Sequence, residues 1–129
     1  MASIVRGIGR AALVAGTVAF MATAARASGD AKAGAQVFKR CAICHTDTNG
    51  GPNKIGPNLW GVVGRKAGTA PGFNYSAAMK NSGITWTDEK LEAYLMHPQQ
   101  VVPGDKMPFA GLSSHKQADD VVAYLNTLK

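Results

Sequence analysis

Two cysteines and a histidine lie close together in the segment Cys41-Ala42-Ile43-Cys44-His45. Two thiols separated by two residues and followed at once by an imidazole form the C-x-x-C-H pattern of covalent haem attachment. The spacing suits this chemistry, because two thiols near a helix end can each add to a vinyl group on one haem edge. The imidazole of His45 then lies close to the iron. The segment therefore predicts one covalent haem c per chain, with His45 as an iron ligand.

Other uses of the two cysteines fit the sequence less well. A structural zinc site needs four ligands, usually from a second Cys/His pair, whereas the remaining histidines, His97 and His115, form no pairing pattern. A thioredoxin-like redox pair needs a βαβ setting, and no strand pattern is present. A disulfide across two intervening residues would close a very short loop and stabilise the fold little.

Haem iron usually takes a second axial ligand, and a methionine thioether in that position raises the reduction potential. Beyond the initiator, the chain offers Met21, Met79, Met96 and Met107. Met21 belongs to an N-terminal segment that we expect to be removed, while Met79 and Met96 lie in helical windows, where methionine usually fills a core. Met107 lies in a loop between two prolines, which can hold a thioether against a metal. Met107 is therefore the predicted sixth ligand.

Helices must position these ligands. Residues 29–42 predict a first helix with Asp30 as its N-cap. Gly34 within it is a weak helix former, which makes sense where another helix crosses closely. Thr87 caps a later helix that Pro98 ends.

The remaining helical signals lie between these two helices and at the C-terminus. Residues 76–81 predict a short helix. Ser114 with Gln117 resembles a capping box, and the helix that it opens has apolar residues at helical spacing: Val121, Tyr124, Leu125 and Leu128.

Long loops separate the helices. Residues 46–75 contain so many glycines and prolines that no helical or strand period survives. A loop of this length is unusual in a compact domain unless it wraps a ligand. A second loop is predicted over residues 99–112. With no strand signal, internal repeat or linker, the chain predicts a single all-α domain around a large ligand.

Residues 1–27 have the layout of a secretory signal peptide. Arg6 and Arg10 give a positive start, an apolar run follows, and a small-x-small motif ends at Ala27. The run of about 15 residues is shorter than the roughly 20 that span a bilayer, which disfavours an uncleaved anchor. We expect cleavage after Ala27, a haem domain over residues 28–129, and a periplasmic location without stable membrane insertion.

Removal of this segment lowers the positive charge. The whole chain has 14 Lys and Arg against 8 Asp and Glu, a net charge of +6. Residues 1–27 hold three arginines and no acid, so residues 28–129 have a net charge of +3. No run of Lys and Arg is interleaved with aromatic residues, so binding to nucleic acid is not indicated. A modest positive face toward an acidic protein partner is compatible with this charge.

Several longer motifs resemble those of the mitochondrial-type class I cytochromes c and their small bacterial relatives. The matching stretches are CAICHT at 41–46, KIGPNLWG at 54–61, GRK at 64–66, APGFNY at 70–75, GITW at 83–86, YL at 94–95 and VPGDKMPFAG at 102–111. The resemblance covers nearly all of the chain from Gly29 onward. It implies the class I cytochrome c fold, with three main helices, short helices and long loops wrapped around a covalent haem.

The resemblance also implies roles for residues around the haem. The Pro57 carbonyl should accept a hydrogen bond from the His45 ring N–H and so orient that ligand. Tyr75 and Trp86 should donate to a buried haem propionate. Arg65 should offset the propionate charge, since a buried carboxylate must be paired or hydrogen-bonded.

On the other side of the haem, the resemblance places Tyr94 beside Met107, and Phe109 should shield the haem edge. The first and last helices should cross at four residues: Gly34, Phe38, Tyr124 and Leu125. The crossing would account for a glycine inside a helix.

The chain departs from the family pattern in three places. Asp105 replaces a frequent threonine in the methionine loop. Met79 stands where the mitochondrial forms usually have a polar residue tied to a buried water. Around the exposed haem edge, lysines are replaced by other polar residues, so we expect weaker steering toward acidic partners: Gln99, Gln100, Ser113 and Ser114.

The resemblance implies an electron carrier and not an enzyme. With both axial positions filled by the chain, no substrate reaches the iron, and electrons pass through the exposed haem edge. A haem peroxidase or a gas sensor would need an open sixth position, which the proline-flanked Met107 loop disfavours. The expected protein is a monomer that shuttles single electrons between membrane complexes, with a cytochrome bc-type donor and an oxidase or photosynthetic reaction centre as acceptor.

Overall fold

The computed structural model describes residues 29–129, which form five helices. They are α1 (Ala31–Phe38), α2 (Ala77–Lys80), α3 (Asp88–Met96), α4 (Pro98–Val101) and α5 (His115–Leu125). Within this range the strand-like pairing is limited to an isolated antiparallel bridge between Lys66 and Thr85. The prediction of an all-α fold with three main helices is therefore confirmed. The predicted signal peptide, residues 1–27, lies outside the described residues.

All five helices are short. The longest, α5, has 11 residues, which corresponds to a length of about 16 Å. Helices of this size are marginal in isolation and depend on tertiary packing for their stability. None of the helices within residues 29–129 combines the length and the apolar character that crossing a bilayer requires.

The predicted N-caps are present at the three main helices. The side-chain oxygens of Asp30, Thr87 and Ser114 accept hydrogen bonds from backbone N–H groups two or three residues further on, at 2.8–3.3 Å. Each cap stabilises its helix by about 1 kcal/mol. At α5 the Gln117 side-chain oxygen accepts from the Ser113 hydroxyl at 3.0 Å, whereas a full capping box would direct it to the Ser114 backbone. The Ser114 contact of the predicted capping box is therefore present, and the return contact from the Gln117 side chain to the Ser114 backbone is replaced by the one to Ser113.

Three predicted boundaries are wrong. The last helix, α5, ends at Leu125, before Leu128. α1 ends at Phe38 rather than at residue 42, and residues 39–44 continue as turns. The predicted loop over 99–112 starts with a helical turn, because α4 begins at Pro98. Proline suits the first position of a helix, since its missing N–H would have no partner there. Pro98 therefore follows the end of α3, as predicted, and also begins α4.

α1 and α5 cross in close contact. A Cβ added at Gly34 would lie 1.9 Å from the Asp120 carbonyl oxygen, so only glycine allows this approach. The rings of Phe38 and Tyr124 pack with their centroids 5.1 Å apart, and Leu125 is buried in the same core. These contacts confirm the predicted crossing and explain the glycine inside α1.

Residues 46–75 form the predicted loop, and side chains hold its first half together. The Asn58 side-chain amide donates to the carbonyls of Thr48 and Gly51, both at 3.0 Å. The Asn58 N–H donates to the Asn53 side-chain oxygen at 2.9 Å. Because backbone groups that lack a helix or sheet still need partners, these bonds give the loop a defined shape and make it a stable wall of the site.

Candidate functional site

A cavity of about 600 Å³ lies between the long loop, α2, α3 and the segment that follows α4. This volume falls in the range of small-molecule and cofactor pockets, roughly 300–1,000 Å³. All ten residues predicted to bind the cofactor line its mainly apolar walls: Cys41, Cys44, His45, Pro57, Arg65, Tyr75, Trp86, Tyr94, Met107 and Phe109. Folding thus brings distant parts of the chain around one volume.

The attachment motif follows α1 as two overlapping turns. The Cys41 N–H donates to the Phe38 carbonyl at 2.7 Å, and the His45 N–H donates to the Cys41 carbonyl at 2.9 Å. Both cysteines are free, half-buried thiols. Burial raises the pKa of the Cys41 thiol, although the charge of Arg40 opposes the rise. A thiol that stays protonated does not suit the redox-pair alternative, which needs a reactive thiolate.

The His45 ring is oriented by the chain itself. Its Nδ1 lies 2.7 Å from the Pro57 carbonyl oxygen, the contact that the family resemblance implies. Because a carbonyl only accepts, Nδ1 carries the hydrogen and Nε2 keeps its lone pair. Burial lowers the pKa of His45, the Pro57 carbonyl opposes the change, and the charge of Lys54 adds to it. The ring is therefore neutral near pH 7, the form that binds metals.

Gly56 belongs to the site although sequence reasoning did not include it. A Cβ at this position would lie 2.4 Å from Cε1 of the His45 ring, so the buried glycine lets the backbone pack flat against the imidazole. Its N–H also donates to the Cys44 carbonyl at 2.8 Å. The sequence feature that could have identified Gly56 is its place directly before Pro57, in a loop that is predicted to wrap a ligand.

Met107 lies on the wall formed by α3 and the segment after α4. The Tyr94 hydroxyl is 3.8 Å from the Met107 sulfur, so the two residues are neighbours as the resemblance implies. The same hydroxyl donates to the Asp105 carboxylate, a contact that sequence reasoning left open. Burial and this carboxylate together raise the pKa of Tyr94. The Trp86 ring packs against Tyr94 at a centroid distance of 4.9 Å and fixes the phenol.

Arg65 and Tyr75 form a polar part of the lining. The guanidinium of Arg65 donates to the carbonyls of Trp60 and Asn58, both at 3.2 Å. Burial lowers the pKa of Arg65, and its interaction with Tyr75 opposes the change. The Tyr75 hydroxyl accepts from the Ala70 N–H at 3.1 Å, so its own hydrogen can be donated elsewhere. A held cation and a phenol donor form a suitable pair for a ligand carboxylate.

The cavity rim is apolar and partly exposed. Phe109 is half-buried, and the Arg40 guanidinium lies 5.9 Å from its ring centroid, within the range of a cation–π contact. Ile43 and Ile55 line the cavity and are each 71% exposed. An apolar ligand edge at this rim would therefore be partly accessible from outside.

Met79 is a second methionine at the cavity. Its side chain is buried, as expected for a core residue, but it also lines the cavity from α2. Met96 belongs to the core periphery and is not part of the lining. The structure therefore leaves two thioethers, those of Met79 and Met107, as candidates to face His45 across the cavity.

The donor set fits a haem. Within residues 29–129 no group of three or more His, Cys, Asp or Glu residues is arranged to hold a metal ion, which disfavours the zinc alternative. The cavity instead has one oriented imidazole, two soft thioethers, two thiols and apolar walls, with a cation and a phenol at one side. An iron held mainly by its own macrocycle needs only axial ligands from the protein, and the thiols allow covalent attachment.

Comparisons with known proteins agree with this geometry. A family model described as Cytochrome c matches residues 31–129. The chain is similar to the cytochrome c2 of Rhodoplanes tepidamans, with 50% identity over 97 residues, 75% of this chain and 91% of the relative. It is also similar to the cytochrome c2 of Blastochloris viridis, with 46% identity over 114 residues, 88% of this chain and 90% of the relative.

A solved structure has the same fold. The chain superimposes on cytochrome cH from Methylobacterium extorquens with a TM-score of 0.72 and 48% sequence identity. The match covers 77% of this chain and 99% of that one. The likeness therefore extends over the whole domain and not only over the attachment motif.

Proposed function

Because the chain belongs to the cytochrome c family and has the class I fold, we propose that it carries single electrons on one haem c. Cys41 and Cys44 hold the haem covalently, and His45 and Met107 are its iron ligands. The observation that supports this proposal is the meeting of both thiols, the oriented imidazole and the Met107 thioether at one cavity. When bound, the haem supplies a ferric–ferrous couple that accepts and releases one electron.

The residues on the His45 side hold the ligand in one orientation. The Pro57 carbonyl fixes the tautomer and the ring plane through Nδ1. The Gly56 backbone packs against the His45 ring, because glycine has no Cβ that would keep the backbone away from it. A ligand that is already oriented moves little when the charge at the iron changes, and this favours rapid electron transfer over bond chemistry.

The residues on the Met107 side exclude substrate. Met107 would supply a second iron ligand from the chain, and the buried rings of Tyr94 and Trp86 pack on its side of the cavity. A protein thioether bound to the iron would compete with water or a peroxide for that position. We therefore propose no enzymatic activity. Phe109, half-buried at the cavity rim, would shield part of a bound haem's edge.

The polar side of the cavity suits the haem propionates. We assign Tyr75 and Trp86 as hydrogen-bond donors and Arg65 as the compensating cation. The Arg65 guanidinium is held by two carbonyls, which fixes its charge at the wall. A carboxylate in this half-buried place is stabilised only when such partners are present.

Export and partners form the outer part of the proposal. We propose that residues 1–27 are a cleaved signal peptide and that residues 28–129 act as a monomer in the periplasm. The positive start, the apolar run and the small-x-small motif support export. The partners are membrane redox complexes, with a cytochrome bc-type donor and an oxidase or photosynthetic reaction centre as acceptor.

Substitution of Met107 tests the ligand set. In the holoprotein, we expect Met107→Ala to keep covalent haem, lose the ferric iron–sulfur charge-transfer band, lower the reduction potential and bind carbon monoxide at neutral pH. Met79→Leu is the matched control, since it removes the other thioether of the cavity and should leave the band in place. Spectroscopy and redox titration of both variants give the result.

The alternatives predict different outcomes. Loss of the band in Met79→Leu, with Met107→Ala unaffected, would move the ligand to Met79. Ready binding of carbon monoxide by the wild type at neutral pH, with no charge-transfer band, would indicate an open site of the peroxidase or gas-sensor kind.

A further inference from the structure

Asp105 and Met107 compete for one hydrogen. The Tyr94 hydroxyl donates to the Asp105 carboxylate and also lies 3.8 Å from the Met107 sulfur. A phenol has a single O–H and gives only one strong hydrogen bond. If one acceptor takes this hydrogen, the other acceptor is left without a hydrogen bond from Tyr94.

The carboxylate is the stronger acceptor. A hydrogen bond to an ionised group is roughly twice as strong as one between neutral groups, and a thioether is only a weak acceptor. Tyr94 is 8% exposed and packed against Trp86, so its ring is held in place, and its single O–H can point to only one of the two acceptors at a time. The hydroxyl is accordingly directed to Asp105.

The backbone around Asp105 holds the carboxylate in place. The Asp105 N–H donates to the Val102 carbonyl at 3.0 Å, and the Gln99 side chain donates to the Asp105 carbonyl at 2.8 Å. The next residue, Lys106, is tied by its ammonium to the Asn74 carbonyl. Asp105 itself is half-buried and lines the cavity. The short segment before Met107 is thus anchored on both sides.

We propose that Asp105 is a positioning residue that draws the Tyr94 hydroxyl away from the Met107 sulfur and so lowers the reduction potential. This inference rests on the proposed function, in which Met107 binds iron. A hydrogen bond to the thioether would withdraw electron density from the ligand and favour ferrous iron. When Asp105 takes that bond, the sulfur donates more strongly to the metal and ferric iron is favoured.

A negative charge on Asp105 would act in the same direction, since a carboxylate in the lining of the cavity would also favour the ferric state of a bound haem. Two substitutions separate the effects. Asp105→Asn removes the charge but keeps an acceptor for Tyr94, whereas Asp105→Ala removes both. We expect the potential to rise in both variants, and to rise further in Asp105→Ala.

A double-mutant cycle in reduction potential isolates the hydrogen bond. In the wild-type background Tyr94→Phe should shift the potential little, because the hydroxyl is not on the sulfur. In the Asp105→Ala background the hydroxyl is free to bond Met107, so Tyr94→Phe should lower the potential clearly. Equal shifts of Tyr94→Phe in the two backgrounds would overturn the inference.

The chain offers a matched control. Tyr124 donates to the Asp47 carboxylate at 2.5 Å, and neither residue lines the cavity. Asp47→Ala removes a tyrosine–carboxylate pair of the same kind, and the potential should stay at the wild-type value. A rise as large as that of Asp105→Ala would show a general structural effect and would contradict the positioning role.

The ferric charge-transfer band distinguishes the two levels of failure. The holoprotein is measured first, and its band reports whether Met107 binds iron. Absence of the band in the wild type overturns the proposed ligand set and this inference together. If the band is present but Tyr94→Phe shifts the potential equally in both backgrounds, the role of Asp105 is overturned and the proposed ligand set stands. Asp105→Leu, which has a similar size and no acceptor for the Tyr94 hydroxyl, takes the place of Asp105→Ala in the cycle if that variant does not fold.

Discussion

The α1–α5 crossing and the cavity wall are both built from apolar side chains. At the crossing these side chains pack against one another, whereas at the wall they surround an open volume. At the crossing, Phe38 and Val121 are at most 3% exposed, and Gly34 brings the two backbones into contact. At the wall, side chains from distant segments surround a volume of about 600 Å³. The crossing is thus held by packing within the chain, whereas the wall is shaped for a ligand.

The size of the cavity shows how much the wall depends on that ligand. The side chains that line the volume of about 600 Å³ have no packing partners on the cavity side, so they lose dispersion contacts there unless a ligand fills the cavity. A whole domain has a net stability of roughly 5–15 kcal/mol. A chain of this size therefore needs the ligand as part of its core, and the family assignment gives the ligand as haem.

The largest expected effect comes from removing the haem. Cys41→Ser together with Cys44→Ser should prevent covalent attachment, and the haem-free chain should lose cooperative folding, because its core is incomplete. Far-UV circular dichroism with urea titration measures this. A sharp cooperative transition in the haem-free variant would show that the α1–α5 crossing is sufficient to fold the chain. It would contradict the dependence of the cavity wall on the ligand.

A smaller effect is expected at the crossing. Gly34→Ala in the holoprotein places a Cβ 1.9 Å from the Asp120 carbonyl oxygen, so α1 and α5 must separate. Overpacking of a tight core costs about 1–3 kcal/mol, which outweighs the gain of about 1 kcal/mol in helix propensity. Gln36→Ala, at an exposed position of α1, is the control. Urea unfolding checks both, and equal stability of the two variants would argue against the close contact.

The smallest expected effect is a pH dependence at the same crossing. Asp120 accepts from the Asp30 N–H at 2.8 Å and from the Lys116 ammonium at 2.6 Å. The bond from Lys116, followed by that from Asp30, holds the pKa of Asp120 below its usual value of 3.8. A depressed pKa in the folded state contributes stability above the unfolded pKa, and this contribution is lost as pH falls through the folded pKa.

Asp120→Asn should therefore be less stable than the wild type near pH 7, and the difference should shrink as the pH falls below about 4. Thermal unfolding of both proteins across this range gives the measurement. The Lys116 side chain is 77% exposed, so added salt should also reduce the difference. If the stability difference between the wild type and Asp120→Asn stayed constant from pH 7 to the acid range, the charge of Asp120 would not be its cause.

Much of the fold follows from local patterns. Asp30, Thr87 and Ser114 were identifiable as caps because a cap bonds backbone only two or three residues away. The long loop was predictable because glycines and prolines act on their own backbone conformations. The end of α1 and the turn of α4 were mispredicted, because they depend on where the following segments pack.

The candidate site divides in the same way. Cys41, Cys44 and His45 are visible in the sequence because they form the C-x-x-C-H pattern within five consecutive residues, the pattern of the covalent haem attachment that we propose. The neighbours of Met107 were predicted through resemblance, since they come from α3 and from the loop. Gly56 against the His45 ring and Asp105 against Tyr94 were not predicted, because each contact joins residues that sequence spacing does not relate.

By itself, therefore, the sequence determined the attachment motif, the helix caps, the glycine at the crossing and the need for a large ligand, since these depend on the chemistry of a few adjacent residues. Only the tertiary structure decided which groups face each other across the cavity and that the Asp105 carboxylate and the Met107 sulfur lie at the same Tyr94 hydroxyl. The physical reason is that hydrogen bonds and packing act over a few ångströms in space, so that partners distant in the chain are defined only once the chain has folded.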